Sequence, residues 1–331
     1  MSRALRVATT LLMIGSFAAC GGSGRVDDAA EEASVAPRFL SMGTAPPGGA
    51  FFVVGSALTE VLNEAGADQR FNVTAEATSG SQENIRRLAS GEIDFALSNA
   101  AISYFAIRGT EGWDRAYPIR SIMTLAPNVA LFLTANGSGI ETLADLRDKR
   151  VSVGPAGAGF EYFVGPLLAA HGVTYDDFTP LNATQQAAVD MLADGASDAA
   201  FLGGAVPTAS ITQAAASMDV VFLPYGETEK QQLVEEFPFF RPATIPADTY
   251  RTQTETFEGL DTGSMHLITS ADVPDDLIYA VTKMLYENRE SVVEKHPAGR
   301  YINPNNVVRD TGTEFHPGAI RFFQEIGIWS E

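Results

Sequence analysis

The stretch LASGEIDFALSN, Leu88 to Asn99, returns about a hundred residues later as LADGASDAAFLGG, Leu192 to Gly204. At an offset of 104, Leu88 meets Leu192, Ala89 meets Ala193, Gly91 meets Gly195 and Asp94 meets Asp198. Each copy reads as the end of a helix, a glycine stop and a short buried strand. A repeat of domain length constrains the fold more than any other feature of the chain. With 331 residues to place, two domains of roughly 100 to 200 residues each also follow from length alone.

The residues around each copy extend the repeat. In the first half, RFLSMG is a strand, TAPPGGA a loop and FFVVGSALTEVLNEAG a helix with an apolar stripe. FNVTAEA is a second strand, and QENIRRLAS a helix closed by Gly91, with Ser81 as its expected N-cap and Asn84 in its first turn. The pattern restarts at Arg150 with strand RVSVG, glycine loop PAGAG, helix FEYFVGPLLAAHG, loop NATQQ and helix AAVDMLADG. Strand and helix alternating in this way argue parallel sheets with right-handed crossovers. The expected fold class is therefore α/β, with two similar Rossmann-like lobes joined by crossing hinge strands. NVALFLTAN and GSMHLITS are read as those strands, with one long helix, DDLIYAVTKMLYENRESVVEKH, returning to cover the first lobe. The first lobe takes residues 37–130 and 263–331, and the second takes 131–262.

The N-terminus has the layout of an export signal: Arg3 and Arg6 precede the apolar run VATTLLMIGSFAA, which is too short to span a bilayer as a mature helix. It ends at Cys20, the single cysteine, so the chain cannot form an internal disulfide. FAAC resembles a bacterial lipoprotein signal in which the cysteine is lipidated, with Phe17 standing where an aliphatic residue is usual. Residues 1–19 are expected to be the signal peptide and 20–36, small and acidic, a flexible tether. A formal charge of −19 argues against a nucleic-acid partner.

In open parallel sheets ligands bind beyond the carboxyl ends of the strands, beside helix N-termini. Four such corners are expected here: Thr44 to Phe52, Thr78 to Asn84, Pro155 to Glu161 and Asn182 to Gln186. They are rich in Gly, Ser, Thr and Asn, which admit a ligand close to the backbone. GPAGAG lacks the G-x-G-x-x-G spacing and no glycine loop runs into Lys-Ser/Thr, so no nucleotide cofactor is expected. His171, His266, His296 and His316 lack zinc-site spacing and stand apart from any Gly-x-Ser-x-Gly turn; structural or capping roles are expected, and no metal. Glu83 and Glu161, one in the first turn of a helix in each half, could face the cleft as an acid–base pair, although dipole compensation alone accounts for them. Arg86 and Arg87 are placed on a solvated helix face, and one of Arg108, Arg115 and Arg120 is a candidate to grip a ligand carboxylate.

GTAPPGGAFFVVGSAL, TSGSQENIRRLASGEIDFALSN, LADLRDKRVSVGPAGAG and FPFFRPATIPADTY resemble, in order and spacing, the TAXI family of TRAP transporter solute-binding proteins. The resemblance implies a type II-like periplasmic binding protein without cofactor or catalytic residues. It would be a monomer that closes on a glutamate-like or other carboxylate or amino acid and passes it to a TRAP membrane permease. Carried over by position, Thr44, Gly49, Phe51, Phe52, Ser79, Ser81, Asn84 and Asn99 would line the first wall. Gly157, Gly159, Phe160 and the turn from Gly204 to Pro207 would line the second. The family usually has paired tyrosines where this chain has Phe51 and Phe52, and often an acidic residue where it has Ala101, which implies a less polar pocket. Two other classes stay open at this point: a periplasmic enzyme using the cleft carboxylates, and a ligand-sensing subunit of a signalling system.

Overall fold

The computed structural model describes residues 38–47, 49–67, 71–251 and 253–329. The expectations for the signal peptide, Cys20 and the tether lie outside these residues. The first half runs β1 (Arg38–Gly43), α1 (Ala50–Ala65), β2 (Phe71–Glu76), α2 (Ser81–Ser90), β3 (Phe95–Asn99), α3 (Ala100–Arg108) and β4 (Ile119–Thr124). The second runs β5 (Val129–Ala135), β6 (Arg150–Ser152), α4 (Glu161–Ala170), β7 (Thr179–Leu181), α5 (Gln185–Ala193), β8 (Ala199–Gly204) and α6 (Ala209–Ser217). It continues through β9 (Val220–Phe222), α7 (Glu227–Glu236), β10 (Phe240–Ile245) and β11 (Phe257–Thr262). The chain then returns as β12 (Met265–Ser270), α8 (Asp275–Glu287), α9 (Arg289–Lys295) and α10 (Pro317–Glu325).

Two sheets result. In the first, ordered β2-β1-β3-β12-β4, β1 is parallel to β2 and β3, and β12 fits antiparallel between β3 and β4. All five residues of β3 are buried, as expected of a strand covered on both faces. The second sheet is ordered β10-β11-β5-β8-β6-β7, with β6 parallel to β7 and β8, and β5 antiparallel to β8, β9 and β11.

The repeat seen in the sequence is a repeat of hydrogen bonds. Asp94 accepts from the Ser41 N–H at 2.8 Å and its own N–H donates to Ser41 O. Asp198 accepts from the Arg150 N–H at 2.8 Å and its N–H donates to Arg150 O. In each lobe this aspartate locks the start of the third strand onto the first. Gly91 and Gly195 close the preceding helices with φ of 73° and 69°, a conformation that only glycine reaches without strain.

Three local expectations change. The strands read as crossing between lobes do not cross: β5 pairs within the second sheet from Val129 onward, and β12 within the first from Met265. The chain passes between sheets in the short links 125–128 and 263–264, so the expected boundary after residue 130 falls inside β5. Ser81 is the first residue of α2 rather than its cap; Gly80, with φ of 124°, takes the cap position, and the Ser81 hydroxyl accepts from the Asn99 N–H at 3.0 Å. The long C-terminal helix breaks at Asn288, whose side chain turns back to donate to Met284 O.

Candidate functional site

The helix-start corners of the two lobes meet face to face. A Cβ placed on Gly80, at the start of α2, would lie 3.5 Å from Ala158 in the β6–α4 loop, and one on Gly204 would lie 3.4 Å from Ala50 at the start of α1. Gly159 packs against Ile102 of α3 so closely that an added Cβ would come within 2.9 Å. The structure therefore brings three of the four expected corners to the contact between lobes, while at the fourth Gln185 bonds to Gly203 and Ser210 of its own lobe.

Several of the expected ligand residues are already engaged within their own lobe. Thr44 is fully buried; its hydroxyl donates to Glu76 O at 2.7 Å, tying the ends of β1 and β2 together. The Asn84 amide donates to Thr44 O at 2.8 Å and to Leu97 O at 2.9 Å, clamping β1 to β3, and leaves its buried Oδ1 without a partner. Asn99 caps α3 by accepting from the Ala101 N–H at 2.8 Å, and donates to Gly263 O at 2.8 Å. That second bond fastens the end of β3 to one of the two interlobe links.

The remaining corner residues are less committed. Gly49 is the N-cap of α1, and Phe51 and Phe52, both half-buried, fill its first turn. Ser79 is exposed, and its N–H donates to the Glu83 carboxylate at 2.8 Å. Gly157 is exposed, half-buried Phe160 covers Gly154, and Pro207 is exposed beside the buried Gly204.

An aromatic bridge also spans the lobes. Tyr162 of α4 stacks on Phe105 of α3 and on Trp113, each at 5.8 Å between centroids, and its hydroxyl accepts from Gln82 of α2 at 3.1 Å. On the same side Tyr104 meets Phe237 and Phe239 edge-on. Together these contacts describe a closed arrangement.

Room for a solute lies at the hinge, in a cavity of about 610 Å³. The second lobe supplies Val129, Val206, Asp261 and the β10 segment from Arg241 to Thr244; the C-terminal strap of the first supplies Tyr301, Asn305, Asn306 and Arg309. Pro127, in the link between β4 and β5, closes one side. The strap is bound to the first sheet: Asn306 donates to Thr124 O and Leu125 O, and the Thr124 hydroxyl donates to Arg309 O at 2.8 Å. Of the segments named from the sequence as site walls, the turn from Gly204 to Pro207 reaches this cavity, through Val206, and the other named residues do not line it. Arg241 stood inside a stretch that carried the family resemblance, but nothing local marks it as a ligand residue. Arg309 comes from a segment with no motif.

The charged candidates have structural duties. The Ser79 N–H holds the Glu83 carboxyl below its usual range, and Glu83 also pairs with Arg87, which bridges to Glu76 and Glu92. Glu161 is exposed. Arg108 lies over Tyr104 and donates to Gly312 O, Arg115 lies over Tyr117, and Arg120 pairs with Glu314. His296 and His316 cap the helical turns that follow them, while His171 joins Leu167 O to the Gly226 N–H. His266 is fully buried against the Ser103 hydroxyl at 2.8 Å, and burial lowers its pKa to about 3. Among the described residues no group of three or more His, Cys, Asp or Glu is placed to hold a metal, and no helix is long and apolar enough to cross a membrane.

A sequence profile described as the NMT1-like family matches residues 42–327. The chain belongs to the NMT1-like family. Solved structures similar to this NMT1-like protein include PhnD1 from Prochlorococcus marinus in complex with methylphosphonate, at 9% identity and TM-score 0.54, covering 89% of this chain and 100% of that one. A Bordetella bronchiseptica protein matches at 12% identity and TM-score 0.54, covering 86% and 88%. A putative L-cystine ABC transporter structure from Listeria monocytogenes matches at 10% identity and TM-score 0.50, covering 82% and 99%. At these identities the likeness is one of fold, and it agrees with the two-lobe α/β architecture of this NMT1-like chain.

Proposed function

We propose that this NMT1-like protein is an extracytoplasmic solute-binding receptor that closes two lobes around a small organic acid or amino acid and releases it unchanged to a membrane permease. The observation that carries this reading is the hinge cavity, walled by both lobes and resting on a link between them, so that rotation about the links opens or shuts it. Its volume of about 610 Å³ is of the size that small-molecule sites use. The corner residues from Thr44 to Asn99 in one lobe and from Gly157 to Pro207 in the other are read as the faces that part on opening, where a solute makes its first contacts. Ligand binds the closed form better than the open one, and that difference sets the closed population.

The related fold of PhnD1, held with methylphosphonate, supports a small charged solute. The sequence resemblance to the TAXI family favours a carboxylate as cargo and a TRAP permease as partner. The export-signal layout before Cys20 supports a place outside the cytoplasmic membrane, with a lipid anchor at that residue. Glu83 serves its own helix start, so no observation favours the enzyme reading over the receptor.

The test is thermal unfolding of protein stripped of ligand by unfolding and refolding, against amino acids, mono- and dicarboxylates, sulfonates and phosphonates. A ligand at 100 times its dissociation constant adds about 2.7 kcal/mol to stability. A rise confined to one chemical class, with the compound recovered intact, supports the receptor; chemical conversion of the compound overturns it.

A further inference from the structure

The hinge cavity has an uneven charge. Arg241 on β10 stands opposite Asp261 on β11 in the antiparallel register, which places their side chains on one face. Asp261 is buried, and its two oxygens are occupied: one accepts from the Asn128 N–H at 3.0 Å, while the other takes the Ser264 hydroxyl and faces Arg309 at 3.6 Å. The wall therefore holds two guanidinium groups against one carboxylate, which pairs with Arg309, and it keeps a net positive charge in a chain whose formal charge is −19.

The two arginines also have unused donors. The buried Nε of Arg309 has no hydrogen-bond partner, and among the described residues no carboxylate lies within 4.0 Å of the Arg241 guanidinium. Burial lowers the pKa of Arg309, and Arg241 lowers it further by like-charge repulsion while Asp261 opposes the shift. An anion between them would replace that repulsion with two charge-assisted contacts.

The arginines belong to different lobes. Arg241 rides on β10 of the second sheet, whereas Arg309 belongs to the strap that Thr124 and Asn306 hold on the first. Whatever sits between them is pulled from both sides of the hinge. Pro127, Val129, Val206 and Pro242 give the same cavity an apolar part.

We propose that Arg241 and Arg309, one from each lobe, clamp the oxyanion head of the ligand, and that this contact draws the lobes shut while the apolar wall receives the rest of the molecule. The proposal rests on the receptor reading. Carboxylate, sulfonate and phosphonate heads share the chemistry that two guanidinium groups recognise, and matched compounds separate them.

The experiment measures dissociation constants by thermal unfolding and titration calorimetry at constant ionic strength. Its probes are four-carbon carboxylates, sulfonates and phosphonates, the neutral amides of the carboxylates, inorganic phosphate and inorganic sulfate. The proteins are the stripped parent chain, Arg241→Gln, Arg309→Lys and the control Arg115→Gln. Arg241 is exposed on its strand, so Arg241→Gln is expected to fold. The expected result is binding of one acid class without its amide, and a dissociation constant at least ~10-fold weaker in Arg241→Gln, equivalent to about 1.4 kcal/mol. Arg309→Lys is expected to weaken binding less, and Arg115→Gln not at all. In solution scattering the acid should compact the parent but not Arg241→Gln. Equal affinity of the parent and Arg241→Gln for an acid overturns the clamp and leaves the receptor standing. Binding of inorganic phosphate or sulfate as tight as that of every organic acid overturns the assignment to the ligand head. No binding of any probe to the parent removes both.

Discussion

Changing Tyr162 should loosen the lobes from each other. Its ring makes two near-parallel stacks, at 29° with Phe105 and 22° with Trp113, and its hydroxyl takes one hydrogen bond from Gln82. All three partners lie on the first lobe's side of the contact, while Tyr162 belongs to the second. At about 0.5–1.5 kcal/mol for each aromatic pair and about 1 kcal/mol for the hydrogen bond, the side chain holds the closed form by about 2–4 kcal/mol. Tyr162→Phe keeps the stacks and gives up only the hydrogen bond, which should shift the closed-to-open ratio by about fivefold. Tyr162→Ala gives up everything and should shift it by about 30-fold to 1000-fold.

Trp113 is the natural reporter, because it is buried against Tyr162 and the only other tryptophan is Trp329. In a Trp329→Phe background, Tyr162→Ala without ligand should show red-shifted Trp113 emission and a larger scattering radius, and Tyr162→Phe a smaller change in the same direction. If Tyr162→Ala lowers the melting temperature while its emission and radius match the parent, the contact does not hold the lobes closed and the reasoning is refuted.

Acidification should act through His266. Burial gives it a folded pKa of about 3 against an ordinary value near 6.5, so the folded state excludes a proton that the unfolded state takes up below about 6.5. Its contribution is intact above that pH and is lost as pH falls toward 3, by about 1.4 kcal/mol per unit, or about 2 kcal/mol between pH 6.5 and 5. Urea unfolding at stepped pH should show this slope, made steeper by His296 and His316, whose pKa values burial also lowers; a flat profile contradicts it. Gly203→Ala should destabilise the second lobe by about 1–3 kcal/mol, because the new methyl would sit 2.2 Å from the Ala130 Cβ and 2.4 Å from its Cα, and backbone must move. An unchanged melting temperature for Gly203→Ala would contradict the tight β5–β8 pairing.

The parts of the fold that were legible in the sequence are those fixed by local chemistry or by repetition. Gly91 with Gly195 and Asp94 with Asp198 recur because each lobe needs the same helix stop and the same lock between its first and third strands. Ser81 misled because an N-cap is recognised by residue type, whereas its hydroxyl is taken by Asn99, 18 residues away. The links between lobes lie a few residues from where the apolar runs point, because a run such as NVALFLTAN shows that a strand is buried without showing which sheet it joins. Helix α8 ends where Asn288 turns back on Met284, a break that the apolar period runs straight through. At the site, the corners were readable from their glycines, but the cavity was not. Its walls join residues 127–129, 241–244 and 301–309, and only the return of β12 to the first sheet brings them side by side.

Closure of the two lobes around the ligand is the motion on which receptor function depends. Small-angle X-ray scattering should be recorded on the stripped protein, alone and with a saturating amount of the compound that raises its melting temperature. A ligand-free parent that populates both open and closed forms should show a radius of gyration above that of the closed structure, falling with ligand to the value calculated from the closed structure. Stoichiometric binding with the same radius in both states would contradict a receptor that works by closing its lobes.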